Sequence, residues 1–303
     1  MASMRDIKRR RQSIQSTQQI AKAMKLVATV KLQRARQRVE RSQLYFQSLH
    51  ATITSIFEKM EDIEHKYMSP REDGKKAVIV ISSNRGLAGG YNSNVVRLIT
   101  RGVMKKDSLD IYAVGKKGRD ALKNLYNLKQ DYSGCIEDPT YADAMCISKD
   151  VLDAYRDGEV SEIHIAYTAF INTIVHEPMT VKLLPFDSEE HRERMELSKR
   201  RRKEADTKEE VIPEEFDCPS MNFEPEAQQA LDILIPNYIT CLIYSGMLEA
   251  VASENGARMT AMDSAANNAE DMIEDLSLLY NRARQASITQ ELTEIIGGAN
   301  AIS

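Results

Sequence analysis

Both ends of this 303-residue chain carry long seven-residue repeats of apolar and small side chains. In the N-terminal repeat, only Ser42 interrupts the first row, and a second row lies four residues further on in the same frame. The rows are Ile7, Ile14, Ala21, Ala28, Ala35, Leu49, Ile56 and Ile63, and Leu32, Val39, Phe46, Ile53 and Met60. Two such rows form a coiled-coil seam, and no Gly or Pro precedes Pro70. We predict a coiled-coil helix over residues 1–68, with about 60 helical residues reaching roughly 90 Å.

The C-terminal end repeats the pattern, with apolar positions that alternate steps of four and three. These positions are Met262, Ala266, Ala269, Ile273, Leu276, Tyr280 and Ala283, and no Gly or Pro occurs from residue 257 to 296. The same face continues back towards Pro225, with Pro236 expected to mark a first turn or a kink. We therefore predict a second coiled-coil helix over residues 226–303.

Neither seam is expected to be stable alone in water, so the simplest prediction is that the two helices pair antiparallel. The seams should meet near Ala21 to Ala35 and Met262 to Ala283. Small side chains in both seams would let the helices approach closely and leave a thin rod with a large exposed surface. An ordinary helical bundle is the alternative, but no other segment is long enough to cover such helices.

Between the two seams the pattern changes to short apolar runs, at residues 77–82, 110–114, 162–167 and 180–184. Helical stretches near 92–105, 117–126 and 141–157 separate them. This alternation predicts a Rossmann-like α/β domain over residues 75–217, with a mostly parallel sheet covered by helices. Residues 187–217 carry charges of both signs and indicate a solvated excursion of that domain. The predicted fold class is α/β, joined to an antiparallel coiled coil.

The net charge of −4 conceals a basic N-terminal segment, because residues 1–41 contain twelve Lys or Arg against Asp6 and Glu40. A basic helix indicates either a solvated coiled-coil face or a polyanionic partner, nucleic acid or an acidic protein surface. No aromatic side chain that could stack on a base occurs before Tyr45, and the rest of the chain is acidic. An acidic protein partner is therefore favoured over nucleic acid.

The first apolar run leads into a Gly-rich turn, Ser83 to Asn92, where a phosphate could rest on the N-terminus of a helix. Its glycines follow a G-x-x-G-G spacing, which matches neither the dinucleotide fingerprint nor the P-loop. We predict a tight turn that needs positive φ, without a bound nucleotide or other cofactor. The five histidines and four cysteines form no metal-binding or nucleophile motif, so we expect neither catalytic nor metal-binding residues.

Three segments carry a resemblance to a known family. Gln19 to Ala28 in the basic helix, Asn84 to Asn92 after the first run, and Ala283 to Ala299 near the C-terminus resemble the gamma chains of bacterial F-type ATP synthases. The resemblance covers the whole chain in order. It implies a non-catalytic central-stalk rotor that couples transmembrane ion flow to ATP synthesis or hydrolysis. Its partners would be the alpha, beta and epsilon subunits and the membrane c-ring, one copy per complex.

The same resemblance implies positions for the contacts with these partners. Met24 and Lys25 match the N-terminal contact with an acidic beta loop, and a second group matches polar contacts of the C-terminal helix: Arg258, Arg284, Gln285 and Thr289. Phe223 and Glu224 match a loop near the membrane ring. Cys218 lacks the near neighbour of the photosynthetic redox switch. Without a transit peptide, we expect a peripheral protein on the cytoplasmic side of a bacterial cell membrane.

Two rival functions remain open at this stage. The first is a nucleic-acid-binding coiled-coil arm on an α/β domain, which a salt-titrated gel shift tests. The second is a nucleotide-dependent enzyme, against which the glycine spacing speaks.

We predict that the isolated chain binds no nucleotide and tends to aggregate, because the coiled coil would expose apolar surface that partners normally cover. Calorimetric titration with ATP should give no heat of binding at micromolar concentrations. Micromolar ATP binding by the chain alone would overturn this prediction.

Overall fold

The computed structural model describes residues 4–59, 65–69, 71, 74–102, 108–187 and 227–302. The elements are α1 (Met4–Lys59), β1 (Lys75–Ile81), α2 (Tyr91–Arg101), β2 (Leu109–Val114), α3 (Lys116–Leu122), β3 (Asn127–Asp131), α4 (Tyr141–Arg156), β4 (Val160–Phe170), β5 (His176–Leu184) and α5 (Ala227–Ile302). The chain divides into two compact units, residues 1–29 with 258–303, and residues 30–257. Of the predicted charged excursion, only Asp187 lies within the described residues.

The five strands form one sheet in the order β3-β2-β1-β4-β5. The pairs β3–β2, β2–β1 and β1–β4 are parallel, and β5 runs antiparallel to β4. The predicted α/β fold with a mostly parallel sheet is therefore confirmed. Strand β3 was not predicted, because this edge strand is polar and mostly exposed and shows no apolar run.

Both faces of the sheet are covered, which explains why β1 reads as a continuous apolar run. Val78 and Val80 face α2, where Val95 and Ile99 cover them. Alternate residues of a strand point to opposite faces, so Ile79 belongs to the second core. That larger core joins the sheet to α4 and to segments of both long helices, among them Leu49, Ile53, Ile56, Ile147, Val151, Leu231, Ile235, Ile239 and Met247.

Pro236 lies inside α5, which begins at Ala227, so of the two roles expected for it, a first turn or a kink, the first is wrong. A proline in a helix interior costs about 3 kcal/mol because it removes one hydrogen bond and crowds the preceding turn. The neighbouring Ile235, Tyr238 and Ile239 are almost completely buried. Burial of each such side chain contributes roughly 1.5–3 kcal/mol, which outweighs the local cost.

An 18-residue window of α5 reaches a mean hydropathy of 1.4, a value that would also suit a membrane span, and 56% of that window is buried. Core helices and membrane helices both have this character. The packing of α5 in the larger core accounts for it here.

We predict that Gly115→Ala destabilises the α/β domain by about 2–4 kcal/mol, because strained φ and a backbone clash add together. Gly115 has φ 117°, and a Cβ there would overlap the carbonyl oxygen of Ser82. Gly134→Ala is the matched control, since a Cβ at that position meets nothing within 4 Å. Urea unfolding followed by circular dichroism measures both variants. Equal midpoints would contradict the prediction.

Candidate functional site

The first unit, residues 1–29 with 258–303, is held by the predicted seam. Ala21, Met262 and Ala266 form a buried cluster, and Met24 and Ala261 pack against it. Along both helices, the seam positions of this unit are buried or half-buried: Ile7, Ile14, Ala21 and Ala28 in α1, and Met262, Ala266, Ala269, Ile273, Leu276, Tyr280 and Ala283 in α5. The burial pattern confirms the seven-residue frame in this unit.

The second row of α1 continues upstream of Leu32 with polar residues, which the search for apolar positions did not detect. The ammonium of Lys25 lies 2.7 Å from Asp263 Oδ1, and Gln18 Nε2 donates to Glu270 Oε2 at 3.3 Å. The guanidinium of Arg11 lies 5.4 Å from the ring centroid of Tyr280. As residue numbers rise along α1, their partners' numbers fall along α5, so the helices are antiparallel. Part of the basic face therefore pairs within the chain.

The ion pair of Lys25 and Asp263 helps to fix the alignment of α1 with α5 but contributes little to the free energy of folding. The two side chains are 40% and 47% exposed. An ion pair this exposed is worth about 0.2–1 kcal/mol and weakens with salt. Lys25 can therefore exchange its partner at little cost. An acidic surface brought against α1 would compete with Asp263 for the same ammonium.

The structure places the predicted contact residues at two separate levels of this unit. Met24 and Lys25 lie beside Met262 and Asp263, and Arg258 is half-buried on α5 five residues before Asp263. The second level lies about 30 Å further along α5, at 1.5 Å per residue, and contains Arg284, Gln285 and Thr289. Phe223 and Glu224 lie outside the described residues.

At the second level, the side chains project away from the seam. Arg284, Gln285 and Thr289 are all exposed, and the Thr289 hydroxyl donates to the carbonyl of Gln285 at 2.9 Å. Within the described ranges, the Arg284 guanidinium has no ion pair or hydrogen bond. A charged group without an internal partner is available for a contact with another molecule.

The exposed apolar side chains of this unit were not identified individually from the sequence. On α1 they are Ile20, Leu26 and Val27, which are 61%, 68% and 58% exposed. On α5 the last turns carry Ile288, Leu292, Ile295 and Ile296, all at least half exposed. The steps of four and three from residue 288 to 295 continue the spacing of the seam, and that signal could have indicated them. Apolar surface of this kind marks an interaction site.

The Gly-rich turn is a braced loop in the second unit, residues 30–257. Its φ values are positive at Leu87 and Gly89, 62° and 54°, as predicted for a tight turn. The Asn84 side chain accepts from the backbone N–H of Lys116 at 3.0 Å and donates to the Ser133 carbonyl at 2.7 Å. It thus joins the loops after β1, β2 and β3. Leu87 is 61% exposed in a conformation that β-carbons disfavour, a feature found at contact sites.

The crevice where a doubly wound sheet binds nucleotides lies at the point where strand order reverses, here between β1 and β4. Helix α5 occupies it. A Cβ on Gly246 would lie 3.0 Å from Ile165 Cδ1 and 3.6 Å from Ile81 Cδ1. This close packing brings the backbone of α5 directly against the side chains of β1 and β4.

One open cleft of about 300 Å³ lies between α1, α4 and α5 in the second unit, lined by Ser42, Tyr45, Phe46, Tyr141, Cys241, Tyr244 and Ser245. Burial, with the neighbouring Cys241, raises the pKa of Tyr141 to about 12, and burial raises the pKa of Cys241. The lining is therefore neutral. A nucleotide needs positive charge or aligned N–H groups for its phosphates, which this lining lacks.

Reactive groups of the described residues are dispersed. They include no group of three His, Cys, Asp or Glu side chains that could hold a metal ion. Cys135, Cys146 and Cys241 are free thiols, and Cys218 lies outside the described ranges. The fold defines the class of protein as one that combines an antiparallel coiled coil with an α/β domain.

Comparison with known proteins identifies the family. Residues 3–302 match the family described as ATP synthase. The chain is 54% identical over 304 residues to an ATP synthase gamma chain of Lachnoclostridium phytofermentans, with all of both chains covered. It is 40% identical over 303 residues to a gamma chain of Acetobacterium woodii described as sodium ion specific, with 99% of each covered.

Solved structures agree on the fold. A chain of the Euglena gracilis mitochondrial ATP synthase aligns with a TM-score of 0.65 at 20% identity, covering 99% of this chain and 94% of its own. A chain from the Tetrahymena thermophila central stalk and c-ring gives 0.55 at 23% identity, covering 81% and 99%. The chain belongs to the ATP synthase gamma-chain family. Because these relatives are ATP synthase gamma chains, the chain is a non-catalytic stalk subunit. They argue against the alternative of a nucleic-acid-binding arm.

We predict that cysteines at Ala21 and Ala266, placed in a chain whose native cysteines are replaced by serine, form a disulfide within one molecule on mild oxidation. Both side chains belong to the same buried cluster. A cysteine pair at Ala21 and Leu278 is the control, because Leu278 is 58% exposed and off the seam. Non-reducing gel electrophoresis distinguishes the products. Crosslinks formed only between molecules would contradict the antiparallel pair.

Proposed function

We propose that this chain is the rotating central-stalk subunit of an F-type ATP synthase that works on the cytoplasmic side of a bacterial cell membrane. In this role it turns with the membrane c-ring and changes the conformation of each beta subunit in sequence. The reverse direction uses ATP hydrolysis to drive ion transport. The alpha and beta subunits supply the reactive groups, while this chain shifts the populations of their conformers.

The observation that carries the proposal is the two-sided character of the coiled-coil unit. One side is a buried seam of alanines and methionines, and the other side exposes apolar residues such as Leu26 and Leu292 together with basic residues such as Arg284. A solvated coiled coil would present polar groups there. Surrounding subunits would cover these side chains without a fixed, deep pocket, which suits a surface that must move past its partner.

We assign the contact with the catalytic ring to both levels of α1 and α5. Met24, Lys25 and Arg258 would contact an acidic loop of a beta subunit, and the exposed ammonium of Lys25 can reach it by leaving Asp263. Arg284, Gln285 and Thr289 would contact alpha or beta near the end of α5. Such contacts must be weak enough to break at each step, and exposed ion pairs of about 0.2–1 kcal/mol meet that condition.

The remaining assignments concern the sheet domain and its surroundings. We propose that the functional division is 1–68, 75–217 and 226–303, with the sheet domain beside an epsilon subunit. Phe223 and Glu224 are proposed to contact the c-ring. The braced Leu87 loop is a further candidate for partner contact, because its conformation is fixed by Asn84 before any partner arrives.

We predict that Arg284→Glu slows ATP turnover at least severalfold while the complex still assembles, because the buried seam is untouched. The lost ion pair is worth about 0.2–1 kcal/mol, and the reversed charge adds repulsion from an acidic partner, so together they should slow turnover severalfold. Turnover of the purified complex, with its subunit stoichiometry confirmed, provides the measurement.

Arg282→Glu is the matched control, because Arg282 is also exposed but lies on nearly the opposite side of α5. It should retain turnover close to that of the unsubstituted complex. Normal turnover of fully assembled Arg284→Glu would sink the contact assignment. Failure of that variant to assemble would show a structural role instead.

A further inference from the structure

The chain crosses between its two compact units only in the long helices, between Thr29 and Val30 in α1 and between Ala257 and Arg258 in α5. Both helices are continuous through these crossings. Along the covalent chain, a torque applied to the sheet domain therefore leaves it through two helices. How firmly each helix is held to the sheet close to its crossing determines how much twist is lost there.

The β4–β5 hairpin contacts both helices close to these crossings. On α5, the Ser253 hydroxyl donates to the carbonyl of Thr168 at 3.0 Å. On α1, the Arg36 guanidinium lies 5.9 Å from the ring centroid of Phe170. The Phe170 ring in turn lies 5.9 Å from that of His176, at an interplanar angle of 32°.

Gly256 gives the closest of these contacts. A Cβ at this position would lie 2.6 Å from His176 Cε1, which is too close for two carbon atoms, and 3.0 Å from His176 Nε2, so the imidazole would have to move away. The glycine therefore lets the imidazole rest directly on the backbone of α5. In a helix interior, glycine is less favourable than alanine, so close approach is the physical benefit of this residue.

The imidazole is held there mainly by packing against the backbone of α5 and the ring of Phe170. Among the described residues, neither ring nitrogen of His176 has a hydrogen-bond partner. Burial lowers its pKa, against a smaller opposing influence of the Thr173 backbone, so the ring is neutral near pH 7. The two ring nitrogens are shielded from water without a close hydrogen bond, which costs free energy that the contacts with Phe170 and Gly256 must offset.

The hairpin is itself stiff. Its strands pair from Ile163 and Leu184 to Phe170 and His176. At the turn, the Asn172 side-chain oxygen accepts from the backbone N–H groups of Ile174 at 2.9 Å and Val175 at 2.7 Å. A closed turn of this kind keeps the hairpin in one conformation. The hairpin is therefore braced both by its strand pairing and at its turn.

We propose that the β4–β5 hairpin is a clasp that holds α1 and α5 against twisting relative to the sheet, and that Gly256 and His176 are positioning residues for coupling between ATP hydrolysis and ion transport. The proposal rests on the rotor function proposed above. It extends that function by naming the contact through which torque enters the helices. Neither residue touches a nucleotide or a transported ion.

The test compares hydrolysis with transport in the complete complex, reconstituted in vesicles. Gly256→Ala separates the imidazole from α5, while alanine favours the helix itself. We expect ATP hydrolysis within about twofold of the unsubstituted complex, and ions moved per ATP lowered roughly twofold to fivefold, as for a modest shift in the population of an ordered contact. A fold defect would lower both activities together.

Gly134→Ala is the matched control, because its added Cβ meets nothing within 4 Å. His176→Ala should lower ions moved per ATP in the same way. In the His176→Ala background, Gly256→Ala should cause no further loss, since residues that act through one contact are not additive. If Gly256→Ala does not assemble, His176→Ala alone carries the test.

Normal coupling in both single variants, or losses that simply add in the double variant, would overturn the clasp. Failure of the unsubstituted chain to restore ATP-driven transport to a complex that lacks its stalk subunit would instead overturn the rotor function. The two failures are therefore distinguishable in one set of vesicles.

Discussion

The pairing of α1 with α5 is the interaction on which the rest of the structure depends. In residues 30–257 both helices belong to the core over one face of the sheet, with Ile53 and Ile239 fully buried. In the other unit the described residues of the same two helices pack against each other, and Ala21, Met262 and Ala266 close the seam. Isolated helices are only marginally stable in water and depend on tertiary packing. The small residues of the seam bury little area, so packing against the sheet supplies most of the buried surface that stabilises these helices.

Small seam residues also determine what the surface can do. Because alanine buries little area, the flanking side chains stay outside the seam, and Leu26 remains 68% exposed. The polar contacts across the seam, such as Lys25 to Asp263, are exposed ion pairs and therefore easily exchanged. As a result, a side chain such as Lys25 can form an ion pair either with the other helix or with another subunit. A partner can thus compete for Lys25 without breaking the alanine seam.

The seams and the parallel strands were predictable from the sequence because buried positions must be apolar or small. In the seams these positions recur in steps of three and four, and in the buried strands they form continuous apolar runs. Strand β3 was not predictable, since an edge strand can be polar. The interior position of Pro236 was not predictable either, because the proline is tolerated there only through the burial of Ile235 and Ile239. Arg11, Gln18 and Lys25 follow the seven-residue spacing, but they are polar, so a search for apolar positions does not detect them. Their partners are separated from them by about 240 to 270 residues, and only the fold shows which acidic groups lie opposite.

The candidate contacts follow from the sequence only as a resemblance, and the structure adds the reason they suit a moving interface. Arg284 and Gln285 are exposed, so a contact that either side chain makes with another subunit would be formed and lost at small cost. The sheet domain behaves differently, because Asn84 and the hairpin at Asn172 fix their loops through two hydrogen bonds each. Torque transmission requires two kinds of contact: contacts on the helices that can be exchanged, and contacts on the sheet that stay fixed. The helix surface can change partners at each step, while the grip on the helices stays the same.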